Sequence, residues 1–242
     1  YAFCNRGITY SNIDSLDEAL KDFDEALKLK PEDVFVLNNK GLVHRKKLEE
    51  DIAEKTFKAA IEKMPEDCYA YYNLGNLNRE LGIEDKAIKL YCEAIDLDYS
   101  FIPSYIAKAN VFILNNDLKK ADEDIRQAIE FMPQNSICYT MLGYIKFLSQ
   151  DYKSAVENFK FAINNDINKT PELIYFCALS YFYLEDYLAA EKFFTRAIEL
   201  SFESIEALYS RAFCFFKLKQ YDKAIACFSE VLEKDNSFTD AY

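Results

Sequence analysis

Three asparagines, Asn5, Asn39 and Asn73, stand 34 residues apart in the amino-terminal part of this chain. Each side chain carries one carbonyl acceptor and an amide with two donors. A row of them at fixed spacing can therefore hydrogen-bond the backbone of an extended peptide with little regard to its sequence. Asn76 and Asn110 repeat the same interval beside them. Arg45 and Arg79, again 34 apart, with Lys46, add a local positive charge suited to an acidic or phosphorylated segment.

Signs of catalysis are few. The chain has no GxGxxG, Walker loop, HExxH or GxSxG, and a single histidine, His44, leaves few general bases. His44 occupies a repeat position that is aromatic elsewhere (Tyr10, Phe112, Tyr181, Phe215), which points to packing. The seven cysteines form no CxxC pair and no metal-ligand spacing with His44, so no metal or cofactor is expected. An odd number of scattered thiols reads as reduced, and a cytoplasmic or nuclear location is expected from that. A net charge of −12, from 41 acidic and 29 basic residues, argues against nucleic acid as a partner. No apolar run approaches the roughly 20 residues of a membrane span.

The interval that spaces the asparagines runs through the whole chain. Numbered so that Gly75 is its eighth residue, the unit spans 1–33, 34–67, 68–101, 102–135, 136–170, 171–204 and 205–238, with the start of an eighth at 239–242. Position 8 is always small: Gly7, Gly41, Gly75, Ala109, Gly143, Ala178 and Ala212. Position 20 is alanine in every unit, from Ala19 to Ala224, and position 24 is large, from Phe23 to Phe228. Apolar residues three, four and seven apart share one helix face, which makes each unit a pair of helices with a turn near positions 14 to 16. Small residues at 8 and 20 let the two backbones approach, and the large residue at 24 fills the space beside them. Pro31, Pro65 and Pro133 stop the second helix.

This pattern resembles the tetratricopeptide repeat in its period, its small residues and its proline stop. Position 4 departs from the family pattern, with Phe3, Leu37, Tyr71, Tyr105, Tyr139, Ile174 and Leu208 where tryptophan is usual. The resemblance implies an all-α right-handed superhelix of about fourteen helices, with first helices lining a concave groove. It also implies that positions 2, 5, 6, 9, 12 and 13 face that groove, which places Asn5, Asn39, Asn73, Asn76, Asn110, Arg45 and Arg79 there. The asparagine row is similar to the ladder in the repeats of O-linked N-acetylglucosamine transferase and of kinesin light chain. Of the residues by which chaperone-binding members grip a terminal carboxylate, only Asn39 is matched, so that activity is not expected. The one-residue insertion in "NNDINKTPE" is expected to bend the array, and the chain, which starts and stops inside a first helix, reads as a segment of a longer protein.

On the same implied face the later units are apolar: Tyr144, Phe147, Phe176, Phe182, Tyr183, Phe213 and Phe216, with Met141 and Leu179 among them. So large an apolar surface is rarely left open to water. The expectation is a non-catalytic protein–protein interaction scaffold. It holds an extended peptide in its amino-terminal groove and an apolar helix, a subunit or a second copy of itself in its carboxy-terminal groove. The alternatives are the substrate-recruiting region of a larger enzyme such as a glycosyltransferase, or a structural subunit of a large assembly.

Overall fold

The computed structural model describes residues 1–165, 170–202 and 204–234, and these form fourteen α-helices without a strand. The first three pairs are α1 (Ala2–Asn12) with α2 (Leu16–Leu29), α3 (Val34–Lys46) with α4 (Glu50–Lys63), and α5 (Cys68–Glu80) with α6 (Glu84–Leu97). Next come α7 (Ile102–Leu114), α8 (Leu118–Phe131), α9 (Ser136–Leu148) and α10 (Tyr152–Asn165). The last four are α11 (Pro171–Tyr183), α12 (Tyr187–Glu199), α13 (Ile205–Lys217) and α14 (Tyr221–Lys234). An all-helical repeat solenoid is therefore the fold. The expected bend falls partly on residues 166–169, which lie outside the described residues.

The contact between positions 8 and 24 sets the distance within a pair. A Cβ added to Gly41 would meet the Phe57 ring at 2.5 Å, and one on Gly75 would meet Tyr91 at 2.7 Å. Gly7 and Gly143 stand in the same relation to Phe23 and Phe159. Phe23, Phe57, Tyr91 and Phe159 are all fully buried, as are the alanines at position 20. Here glycine costs about 1 kcal/mol of helix propensity, and the close ring contact that it permits offsets that cost.

The turn between the two helices of a pair has one form throughout. Its central residue takes a left-handed conformation: Asp14, Leu48, Gly82, Asn116, Gln150, Glu185 and Lys219 all have φ between 58° and 73°. The amide that follows donates back across the helix end, as in Glu49 N to His44 O at 2.9 Å and Ile83 N to Asn78 O at 2.8 Å. This is the Schellman arrangement, which satisfies carbonyls that the helix end leaves free. Only Gly82 adopts it without a side-chain penalty.

Contacts divide the helices into two compact units, 1–117 and 118–242. In the first, α1 touches α3, α3 touches α5 and α5 touches α7, while no comparable contact joins α2, α4 and α6 to one another. The second repeats the arrangement: α9 touches α11 and α11 touches α13. The first helices of successive pairs thus form a continuous layer within each unit, and their outward side chains share one surface.

The packing account makes a coupled prediction. Gly41→Leu should destabilise the chain by about 2 kcal/mol or more through overpacking, and Phe57→Ala by about 3 kcal/mol through the cavity it leaves. In urea denaturation the double variant is expected to lose clearly less than the sum of the two. Strict additivity would mean that the two residues do not share one space.

Candidate functional site

Aspartate caps fix the start of α3 and α5 in the amino-terminal unit. Asp33 caps α3, accepting from Val36 N at 3.4 Å, and Asp67 caps α5, accepting from Tyr69 N at 3.2 Å. Position 2 then falls in the first turn and position 6 one turn later on the same side. Two cavities open there. One of about 410 Å³ between α1 and α3 is lined by Tyr1, Asn5 and Phe35, among others, and one of about 580 Å³ between α3 and α5 by Phe35, Asn39, Tyr69 and Asn73.

The asparagines differ in what they have left to offer. Asn73 is 7% exposed and lines the larger cavity, yet its amide makes no hydrogen bond to any described residue. Its amide atoms are not enclosed and stay open to water in the cavity, so a group that bonds them there exchanges one hydrogen bond for another, worth about 0.5–1.5 kcal/mol net. Asn39 donates Nδ2 to Phe35 O at 2.8 Å and keeps its carbonyl free. Asn5 and Asn110 are exposed. Asn76 is different: it is buried, and its Oδ1 accepts from the Tyr91 hydroxyl at 2.9 Å. Burial pushes that hydroxyl up to about 12, keeping it a neutral donor. Asn76 thus spends its acceptor holding α5 to α6.

The basic residues lie toward the other ends of α3 and α5. Arg45 Nε is 3.7 Å and Arg79 Nη2 3.8 Å from opposite oxygens of Glu80, so two arginines share one carboxylate. Lys46 Nζ donates to Ser11 O at 2.9 Å. Two arginines and a lysine against Glu80 still leave this edge positive, and Arg45 Nη1 is buried without a partner.

In the carboxy-terminal unit the seven predicted aromatic residues join into one ribbon of ring contacts. Tyr144 meets Phe176 at 5.3 Å, Phe176 meets Phe147 at 5.5 Å, and Phe147 meets Tyr183 at 5.9 Å. Tyr183 meets Phe182 at 5.9 Å, Phe182 meets Phe213 at 5.6 Å, and Phe213 meets Phe216 at 6.2 Å. Tyr144, Phe147, Phe176, Phe182 and Phe213 are half-buried by these contacts and by the seams between pairs, whereas Tyr183 and Phe216 are about half exposed. The open apolar surface is accordingly narrower than the residue types alone suggest.

Several contributors escaped the sequence reading. Tyr1, Phe35 and Tyr69 recur at the 34-residue interval on the rim of the two cavities, a periodic signal of its own. Tyr152, Tyr187 and Tyr221, each five residues after a ribbon phenylalanine, meet Phe147, Phe182 and Phe216 at 5.6, 5.7 and 6.0 Å. Asn38 carried no sequence pattern that marked it, whereas Asp67 repeats Asp33 at the 34-residue interval as a helix cap.

Five of the seven cysteines are enclosed, with Cys92 and Cys227 half-buried. Burial raises the thiols of Cys68 and Cys138 to about 11 and those of Cys177 and Cys214 to about 12, so they stay protonated at neutral pH. His44 is buried with Nδ1 2.5 Å from Glu49 Oε2. Among the described residues no group of three His, Cys, Asp or Glu side chains is placed to hold a metal ion, and no helix is long and apolar enough to cross a membrane.

Comparison with known proteins agrees with this architecture. Two models of the tetratricopeptide repeat match, one over residues 1–33 and 205–238 and the other over 69–101, 102–135 and 171–204. The BBSome complex member BBS4 of Bos taurus is 27% identical over 124 residues, which cover 51% of this chain and 24% of that protein. The match thus spans about a quarter of the relative's length. Among solved structures, the C-terminal part of a repeat-containing protein from Cytophaga hutchinsonii aligns with a TM-score of 0.75 at 17% identity, over 98% of this chain and 97% of that one. YrrB, described as having an unusual peptide-binding site, aligns with a TM-score of 0.65 at 21% identity, over 76% and 95%. These structural likenesses establish the fold.

The ribbon predicts unequal costs of truncation. Phe147→Ala, which removes a half-buried ring between three others, should cost about 2 kcal/mol. Phe216→Ala, nearer solvent, should cost less than about 1 kcal/mol. Urea denaturation of the two variants checks this; equal losses would mean that exposure does not separate their roles.

Proposed function

Because this chain belongs to the tetratricopeptide repeat family, we propose that it is a non-catalytic interaction scaffold whose amino-terminal unit binds an extended peptide along α1, α3 and α5. Asn5, Asn39 and Asn73 supply hydrogen bonds to the peptide backbone, and Arg45 and Arg79 supply charge for an acidic side chain of it. The observation that carries this reading is Asn73, whose amide makes no hydrogen bond inside the protein and stays accessible in the wall of an open cavity. A peptide strand offers a donor and an acceptor at every residue, which is what such an amide lacks. The unusual peptide-binding site described for YrrB is consistent with this use of the fold.

The carboxy-terminal unit is proposed to bind an apolar helix or subunit through the exposed edge of its aromatic ribbon, Tyr183 and Phe216. Apolar edges flanked by half-buried aromatic rings favour such docking because the rings are already ordered and lose little side-chain entropy. A second reading, a structural subunit of a stable assembly, is favoured by the likeness to a member of the BBSome complex.

For the first surface, peptides selected on the native chain should bind Asn39→Ala/Asn73→Ala about tenfold more weakly by fluorescence polarisation, at roughly 1 kcal/mol or less per lost hydrogen bond. The thermal midpoint should stay close to the native one. Unaltered affinity would reduce these asparagines to tolerated surface residues. For the second, Tyr183→Glu/Phe216→Glu should abolish any concentration-dependent increase in sedimentation coefficient shown by the native chain. An increase that persists in the variant would place self-association elsewhere.

A further inference from the structure

The cavity between α3 and α5 has a charge pattern opposite to that of the arginine edge. Of its charged lining groups, Lys30 lies 3.2 Å from Asp33, and Glu32 is 2.8 Å from Lys63, which stands outside the lining. Asp67 has no cationic partner among the described residues: one oxygen accepts from Tyr69 N at 3.2 Å and the other from Asn38 Nδ2 at 2.6 Å. A carboxylate offers about four lone-pair positions, so part of its capacity remains.

Asn38 sharpens the pattern. It is 7% exposed and lines the same cavity, and donating Nδ2 to Asp67 fixes the orientation of its amide. Its Oδ1 is left buried with no partner. An unneutralised carboxylate lies in the wall and an unmatched carbonyl dipole is enclosed behind it, and the field of both favours a positively charged donor in the cavity.

The rim supplies the rest. Phe35 and Tyr69 are 60% and 58% exposed, and Tyr69 is braced edge-on against Phe101 at 4.7 Å. Leu42 and Met64 complete an apolar passage toward Asp67. Aromatic faces attract cations, and a long aliphatic stem lies well along an apolar wall while its head reaches polar groups.

We infer that this cavity takes the cationic side chain of a lysine or arginine in the bound peptide, its stem between Phe35 and Tyr69 and its head toward Asp67 and Asn38. The inference rests on the peptide-binding reading above and adds a side-chain preference to it. An acidic side chain is rejected here and accepted only at the Arg45 and Arg79 edge. The ligand is therefore a segment of mixed charge.

The test pans a displayed dodecapeptide library on the full chain. The recovered peptide is then measured by fluorescence polarisation as such and with each basic residue changed in turn to norleucine or glutamate. One basic position should dominate, with norleucine there costing about tenfold and glutamate more, and raised ionic strength should erase most of the difference. Asp67→Asn keeps a good N-cap and should shrink the lysine-to-norleucine difference to about twofold. Phe35→Leu/Tyr69→Leu, which keeps the apolar wall, should shrink it as well. If peptides bind and lose affinity in Asn39→Ala/Asn73→Ala but show no basic preference, or keep it undiminished in Asp67→Asn, the cation site is refuted and the asparagine row stands. If no recovered peptide responds to the asparagine variant, both fall.

Discussion

The whole arrangement depends on one contact, a buried ring at position 24 pressed against a residue without a side chain, or with only a methyl, at position 8. At Gly41 and Gly75 the approach is so close that a single added carbon would fall 2.5–2.7 Å from the ring. That contact fixes how near the two helices of a pair lie, and the common turn fixes where the second begins. Because both recur at the same interval, side chains 34 residues apart in one unit come to equivalent places on its surface. A solenoid turns spacing in sequence into spacing in space. The proposed binding surface is a by-product of the packing.

On that surface polar capacity has been left unused in one place and consumed in another. Asn73 and Asn76 share a helix and differ by three residues, yet only Asn76 finds a partner inside, the hydroxyl of Tyr91. The units with phenylalanine at position 24 have no hydroxyl to offer the asparagine row. Around the larger cavity, capping carboxylates that the helix ends require also give the wall its negative character. Asp67 thus serves the start of α5 and the electrostatics of the cavity with the same two oxygens. In the carboxy-terminal unit the aromatic residues are shared between holding pairs together and presenting an edge.

Much of this was legible in the sequence because it is periodic. The helix pairs, the small residues against rings and the turn at positions 14 to 16 follow from residue types repeated through the chain. The candidate sites were only partly legible, since residue type does not tell which hydrogen bonds a side chain has already made. Asn76 looked equivalent to its neighbours until Tyr91 was placed beside it. Phe147 and Phe176 looked open until their rings were seen to bury each other. Tyr1, Phe35 and Tyr69 obeyed the period as well as the asparagines did, but a rim residue is recognised only once the cavity is present. Asn38 and Asp67 depend on a contact across 29 residues, which no local pattern reveals.

The central claim is that the accessible donors and acceptors left unused in the asparagine row, and not asparagine as such, make the binding surface. The most direct measurement follows the side-chain amide resonances of all these asparagines by NMR while a selected peptide is titrated into the full chain. The account predicts that Asn39, through its open carbonyl, and Asn73 shift together along one saturation curve, while Asn76, bonded to Tyr91, and Asn78, enclosed at 1% exposure and bonded to Leu74 O, stay in place. Shifts at Asn76 and Asn78 equal to those at Asn39 and Asn73, or none at the latter pair, would contradict it.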